Sequence, residues 1–315
     1  MSSSSCGVLV SAGTSHTCVL FQDTQNVICW GGNQYGQLGL GHESVDPHTT
    51  PGNFVYLAHL TSPGGFVNMG TDRRVVSLSV AKEFVCAILD NRSVKCFGRN
   101  SYGQLGYGDT EHRGDAAGSM GDNLPSVDFG TGRYAVRLFP SSGEAMCALL
   151  NTAEVKCWGR NANYVLGMGI AEERNIGDNA NEMGDNLVAI SIPLGKMVIN
   201  LWVANHVIVL LDDHTITGWG VLFDNGDVVG FGTNIEGSLG NVVGGRDQAA
   251  LLNFGTGVRV KGLARNTFDS RCVVLGSNEV KCWGLNTDGQ LGVGDTMTRG
   301  MDASHMGDTL PVVHL

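Results

Sequence analysis

Proline is scarce in this chain, seven residues in 315, and charged residues make up only 16% of it. No apolar run reaches the roughly 18 residues of a membrane-spanning helix, so no membrane partner is expected. No cluster of Lys and Arg offsets a formal net charge of -10, and the overall field repels nucleic acid and anionic lipid. Direct nucleic-acid binding is not expected. No segment carries the 3.6-residue apolar period of an amphipathic helix, and no strand, Gly-rich loop and helix succession forms a nucleotide fingerprint. No cofactor is assigned.

Catalytic sets are missing too. His16, His206 and His214 are scattered, and no Ser or Cys stands in a nucleophile motif with a partner that the pattern places nearby. The chain is therefore read as a non-enzyme with no catalytic residues. Neither a short Cys-x-x-Cys knuckle nor the alternating Asp/Asn run of a calcium loop is present, so no metal ligand is assigned. The N-terminal MSSSSCGVLVSAG has no basic n-region and only a short apolar part, so no signal peptide is expected there.

Glycine, by contrast, is abundant at 46 residues, and much of it belongs to a segment that recurs five times. The segment is an apolar run, a short turn, an aromatic-glycine step and then Asn-x-x-Gly-x-Leu-Gly. It reads CVLFQDTQNVICWGGNQYGQLG from Cys18, CAILDNRSVKCFGRNSYGQLG from Cys86 and CALLNTAEVKCWGRNANYVLG from Cys147. It weakens to VLFDNGDVVGFGTNIEGSLG from Val221 and recovers as CVVLGSNEVKCWGLNTDGQLG from Cys272. Copies roughly 50 to 70 residues apart indicate one supersecondary unit stacked into an array.

Alternating apolar residues on both sides of Asp90-Asn91-Arg92 predict a hairpin, as they do around Asn151-Thr152-Ala153 and Gly276-Ser277-Asn278. The fourth copy is irregular. LWVANHVIVLLDDHTITGWG, from Leu201 to Gly220, predicts an inserted strand or a re-registered blade there. The glycines of Gly-x-Leu-Gly allow a tight bend and close backbone approach, with the Leu buried between them. The fold class is all-β: a β-propeller of five blades, with six or seven as the alternative. It forms a single domain over 1–315, with repeats near 7–74, 75–135, 136–197, 198–259 and 260–315. Spacing closes the array if C-terminal LPVVHL and N-terminal GVLVSAG share one blade, 7–17 completing the last repeat.

CWGxNxxGQLGxGD followed by MGDNLPxVxxGTG resembles the regulator of chromosome condensation repeat family of β-propellers. Trp30, Gly31, Asn33, Gly36, Gln37, Leu38 and Gly39 carry the likeness, with their counterparts at 97–106 and 283–292. The resemblance implies a rigid disc that binds another protein, in some members as a guanine nucleotide exchange factor. Five units stand where the best-known members look seven-bladed. The exchange factor's basic tail and the plant photoreceptor's clustered tryptophans are both absent.

Eight of nine cysteines form matched pairs: Cys18 with Cys29, Cys86 with Cys96, Cys147 with Cys157, and Cys272 with Cys282. Across a three-residue turn such partners are directly opposite on one face, where Cα separations suit a disulfide. Buried free thiols are the alternative. The fourth copy lacks both partners, reading Gly220 and Gly230, or an aliphatic residue and Gly218 in the second register. Cys6 is left over, read as an unpaired core cysteine. Reduced thiols would fit the cytoplasm, and disulfides an extracellular or virion setting.

Long loops at 109–125, 170–188 and 295–311 each hold an Arg among acids and end in Met-Gly-Asp. An internal Arg to Asp pair ordering each loop is the first reading, and an acidic rim for a protein partner the second. The Arg113-Gly114-Asp115 tripeptide is read as loop structure and not as an adhesion motif. Candidate interaction residues are Arg113, Asp115, Arg174, Asp178, Trp202, Trp219, Arg299 and Asp302. The expected function is a protein-binding or structural scaffold with an acidic propeller surface. The alternatives are an exchange regulator of a small GTPase and a disulfide-stabilised component of a virus particle or extracellular matrix.

Overall fold

The computed structural model describes residues 7–42, 54–55, 65–162, 165–167, 174–190, 192, 195–203, 206–220, 251–263, 270–300 and 303–314. Five antiparallel sheets occupy them, one per repeat. The first holds β1 (Val8–Ala12), β2 (His16–Phe21), β3 (Val27–Gly32) and β4 (Phe54–Val55). The second holds β5 (Val75–Val80), β6 (Phe84–Leu89) and β7 (Val94–Gly98), and the third β8 (Ala135–Pro140), β9 (Ala145–Leu150) and β10 (Val155–Gly159). The fourth holds β11 (Val198–Val203), β12 (His206–Leu211), β13 (Ile216–Gly220) and β14 (Leu251–Leu252). The fifth holds β15 (Val260–Leu263), β16 (Ser270–Leu275), β17 (Val280–Gly284) and β18 (Val312–Val313).

The chain divides into two compact units. Residues 1–160 and 174–189 form one, with the first three sheets, and 161–173 and 190–315 form the other, with the last two. Within the first unit, Leu20, Val27, Leu38, Leu78, Phe97 and Leu124 bury a common apolar core between the first two sheets. Within the second, Ile208, Ile216, Phe254, Val273, Trp283 and Leu310 do the same.

One expectation needs correction. The terminal segments lie in separate sheets: β1 pairs with β2, and β18 with β17. The Leu-Pro-x-Val segment returns to the last hairpin strand of its own repeat, as the Val127 N–H to Val94 carbonyl bond shows in the second. The fourth hairpin is β12–β13, as the re-registered reading has it, and the copy starting at Val221 lies outside the described residues. Trp219-Gly220 is the aromatic-glycine step, and Ile208 opposes Gly218 where the other repeats have cysteines. Residues 221–250 lie outside the described ones.

Each hairpin turn places one residue at positive φ. Arg92, Ala153, His214 and Asn278 occupy matching positions, and Gln25 does so in the longer first turn. The four cysteine pairs are bonded, with Cα separations of 4.0 to 4.1 Å. That closeness belongs to the non-hydrogen-bonded positions of an antiparallel ladder. At Cys96 the backbone bonds are made with the Tyr107 hydroxyl instead, which donates to the carbonyl at 2.8 Å and accepts from the N–H at 2.7 Å. Cys6 lies outside the described residues.

A buried lysine spans each of three repeats. Lys95 Nζ donates to the Met69 and Gly121 carbonyls, Lys156 to Phe129 and Gly184, and Lys281 to Phe254 and Gly307, all at 2.8 to 3.0 Å. Beside each, the Asp of Met-Gly-Asp accepts the N–H and hydroxyl of a Thr: Asp122 from Thr71, Asp185 from Thr131, Asp308 from Thr256. These hydrogen bonds hold all three carboxyls below their ordinary range. Replacing Lys156 with Met strands two buried carbonyls, and urea unfolding should show a loss of about 2 to 4 kcal/mol. A loss under about 0.5 kcal/mol would dismiss the clamp.

His16 is buried, and neither ring nitrogen has a hydrogen-bond partner. Burial pushes the imidazole down to about 4. The unfolded chain, with its His near 6.5, takes up the proton first on acidification, so stability falls as pH drops from about 6.5 to 4. The aspartates lose their contribution only below that window. The equivalent position in the second sheet is Phe84. His16→Phe should therefore shrink the stability difference between pH 7 and pH 4.5 by about 2 to 3 kcal/mol. An unchanged difference would show that this ring does not set the acid sensitivity.

Candidate functional site

The turns β5–β6 and β8–β9 lie at the same end of their sheets as the chain leaving β7 and β10, because adjacent strands run antiparallel. At that end the second and third repeats repeat one arrangement. Arg99 donates its backbone N–H to the Glu83 carbonyl at 3.0 Å, and Arg160 does so to Glu144 at 2.8 Å. The side chains pair as well: Arg99 Nη1 lies 2.6 Å from Glu83 Oε2, and Arg160 Nη1 lies 3.2 Å from Glu144 Oε2. Glu144 also takes Lys82 at 2.7 Å and lies 3.8 Å from Arg99. In the first sheet the corresponding residues are Ser15 and Gly32, which share only the backbone bond.

Tyrosines interleave with the arginines. The Arg99 guanidinium carbon is 5.0 Å from the Tyr35 ring centroid and 5.6 Å from that of Tyr102, and Arg160 is 4.8 Å from Tyr102. His112 meets Tyr35 edge-on at 5.2 Å. The order Tyr35, Arg99, Tyr102, Arg160 runs across three consecutive repeats, and each cation–π contact contributes on the order of 0.5 to 2 kcal/mol.

The adjoining glycines fix the tyrosines. Gly36 and Gly103 have φ of 77° and 72°. A Cβ on Gly36 would lie 2.3 Å from the Asp115 nitrogen, and one on Gly103 2.2 Å from the Asp178 nitrogen. The loop of each repeat is thus seated on the glycine of the preceding one, held by Gly41 N–H to the Gly114 carbonyl and Gly108 N–H to the Gly177 carbonyl, both at 3.0 Å. Asn33 and Asn100, fully buried, brace the same turns by accepting the N–H groups of Leu38 and Leu105.

Charge is layered here. Burial alone would raise the Glu144 carboxyl, yet the Lys82 and Arg160 hydrogen bonds and charges outweigh it and hold the group below its ordinary value. Side-chain exposure is 6% for Glu144 and 15% for Glu83, against 36% for Lys82 and 44% for Arg160. The acids are the most buried members, and Lys82 and Arg160 the most exposed.

The residues anticipated from the loops do not converge on one site among the described residues. Arg113 pairs with Asp109 at 2.7 Å and Arg299 with Asp295 at 2.6 Å, each ordering its own loop. Arg174 pairs with Glu182 at 3.2 Å. Strand-end bridges align Arg113 and Arg299 with Ile176, so Arg174 stands two positions off the repeat register. Asp115 and Asp178 sit in the segments seated on Gly36 and Gly103, and Asp178 accepts from Asn175 and Asn179. Trp202, on β11, packs against the core of the second unit. Trp219 lies on β13 opposite Val207, and Asp302 lies outside the described residues. Among the described residues no group of His, Cys, Asp and Glu could hold a metal ion.

Missing from that sequence reading were Tyr35, Lys82, Glu83, Arg99, Tyr102, Glu144 and Arg160. Their signal was a Glu-to-Arg separation of 16 residues that occurs in two successive repeats and in neither flanking described copy.

An all-β chain whose successive repeats each close an antiparallel sheet around an aromatic-glycine strand end is a β-propeller protein. Residues 8–37 and 75–104 match the regulator of chromosome condensation (RCC1) repeat, and the chain is similar to propellers built from that repeat. It is 26% identical over 330 residues to the ultraviolet-B receptor UVR8 of Arabidopsis thaliana, covering 93% of this chain and 68% of the receptor. The fold is similar to that of human WBSCR16, with a TM-score of 0.65, 17% identity, 98% of this chain and 67% of that one. It is also similar to yeast RCC1 (Prp20), solved with Kap60, with a TM-score of 0.59, 18% identity, 91% of this chain and 57% of that one. The chain therefore spans a little over half of Prp20 and about two thirds of the other two.

Alanine at Gly103 meets both an unfavourable φ and a backbone contact, and should cost at least about 3 kcal/mol in chemical denaturation. Gly132 has a similar φ of 69° with open space around it, so its Ala variant should cost only about 1 to 2 kcal/mol. Equal costs would show that close approach is not what the Gly103 position requires.

Proposed function

We propose that this chain is a protein-binding module and that its contact surface is the Tyr35–Arg99–Tyr102–Arg160 ladder. The observation that carries this reading is the interleaving of rings and guanidinium groups across three repeats, with their carboxylate partners beneath them. Tyr and Arg supply large, ordered contact area at small entropic cost, and both are enriched where interfaces concentrate their binding energy. The fixed tyrosine backbone lowers the ordering cost of association further.

Charge on this face is of mixed sign with cations outermost. An acidic rim is therefore not the feature that a partner would meet here. Among proteins of similar fold, yeast RCC1 (Prp20) has been crystallised with another protein, Kap60.

The test compares proteins retained from native extract by the wild-type chain, by Arg99→Ala/Arg160→Ala and by Arg133→Ala. Arg133 pairs with Glu154 and Asp185 outside the ladder. A specific partner should be retained by the wild type and by Arg133→Ala, and lost by more than about tenfold in the double variant. Equal retention by all three would overturn the assignment. Accelerated nucleotide release from a small GTPase, lost in the same double variant, would specify the partner as that GTPase.

A further inference from the structure

The ladder carries a charge excess that selects among protein partners. Three cations, Lys82, Arg99 and Arg160, face two carboxylates, Glu83 and Glu144, leaving one positive charge in a chain of formal net charge -10. The two most exposed charged members are both cations. Among the described residues Arg160 places one side-chain hydrogen bond, to Glu144, and Lys82 one, to the same carboxylate. A guanidinium has five donor hydrogens and an ammonium three, so most of the donors at the outer surface are unspent.

We propose that this surface binds an acidic protein segment, its carboxylates received by Arg160 and Lys82 and its backbone or side chains lying on the Tyr35 and Tyr102 rings. The inference rests on the protein-binding reading above and narrows it to one class of partner. Carboxylates match the planar donor fork of Arg, and the fork of Arg160 is already oriented by Glu144 and the Tyr102 ring. A long polyanion is the poorer fit. The excess is a single charge, and an extended phosphate backbone leaving this patch would meet the negative field of the rest of the chain. A short segment with a few Asp or Glu residues gains the local attraction and avoids that repulsion.

The experiment measures fluorescence anisotropy of the full chain with a labelled twelve-residue peptide of alternating Glu and Gly carrying one Trp. Its Gln-for-Glu counterpart and a single-stranded oligonucleotide of equal length serve as the other probes. The acidic peptide should bind at least about tenfold tighter than the Gln peptide, and raising salt from 50 to 300 mM should narrow that gap. Arg160→Gln and Lys82→Gln should each weaken it about five- to tenfold, and Arg160→Lys, which keeps the charge but not the fork, should fall between Arg160→Gln and the wild type. Thermal melts of the variants, unchanged within a few degrees, would confirm that they fold. Equal binding of the Glu and Gln peptides, or an affinity indifferent to Arg160→Gln, would overturn the proposal. So would tighter binding of the oligonucleotide through the same residues. If acidic selectivity fails while extract partners still depend on Arg99 and Arg160, the protein-binding reading stands and this narrowing falls. If neither depends on those residues, both fall.

Discussion

The constraint on which the candidate site depends is the close backbone approach between successive repeats at Gly36 and Gly103. No side chain fits between either glycine and the loop that crosses it. The loop of one repeat therefore rests directly on the turn of the one before, and the residue preceding each glycine is a tyrosine whose backbone is held in the same turn. A Cα position set this firmly lets Tyr35 and Tyr102 meet the guanidinium groups of the following repeats. The buried Asn33 and Asn100 side chains reinforce the geometry by satisfying turn N–H groups that would otherwise be unpaired.

Buried charge in this protein has two distinct uses. Lys95, Lys156 and Lys281 face backbone carbonyls and tie the two ends of a repeat to its central hairpin, a use in which each ammonium donates to two carbonyls. Glu144 faces three cations and organises a surface. The carboxylate compensates the positive charges from below while leaving their outer donors available. A net charge of -10 would not reveal this, because the arrangement depends on which side of the cluster each sign occupies.

Much of the architecture was legible in the sequence because it follows from local chemistry. Three-residue turns between apolar runs became hairpins, and Leu38, Leu105 and Leu291 are buried between their glycines as the motif implied. The fourth hairpin had two readings because VLFDNGDVVGFG also satisfies the turn rules. The more continuously apolar HVIVLL, closing on Trp219-Gly220, takes the strand position in the structure. Terminal pairing was misjudged because spacing alone cannot say to which hairpin a Leu-Pro-x-Val strand returns. The lysine clamps escaped notice since their acceptors are backbone carbonyls roughly 26 residues away. The ladder escaped for a similar reason: Tyr35, Arg99 and Arg160 come from different repeats, and only the recurring Glu83–Arg99 and Glu144–Arg160 interval hinted at them.

Hydrogen–deuterium exchange of the full chain with and without a bound acidic peptide tests the central claim most directly, since it locates the contact surface without altering it. Protection should appear in segments 33–36, 81–84, 99–103, 143–145 and 158–160, at one end of the first three sheets. The turns at the other end, 90–93 and 151–154, should be unchanged. Protection confined to those opposite turns, or to the second unit, would contradict the assignment of the ladder as the binding surface.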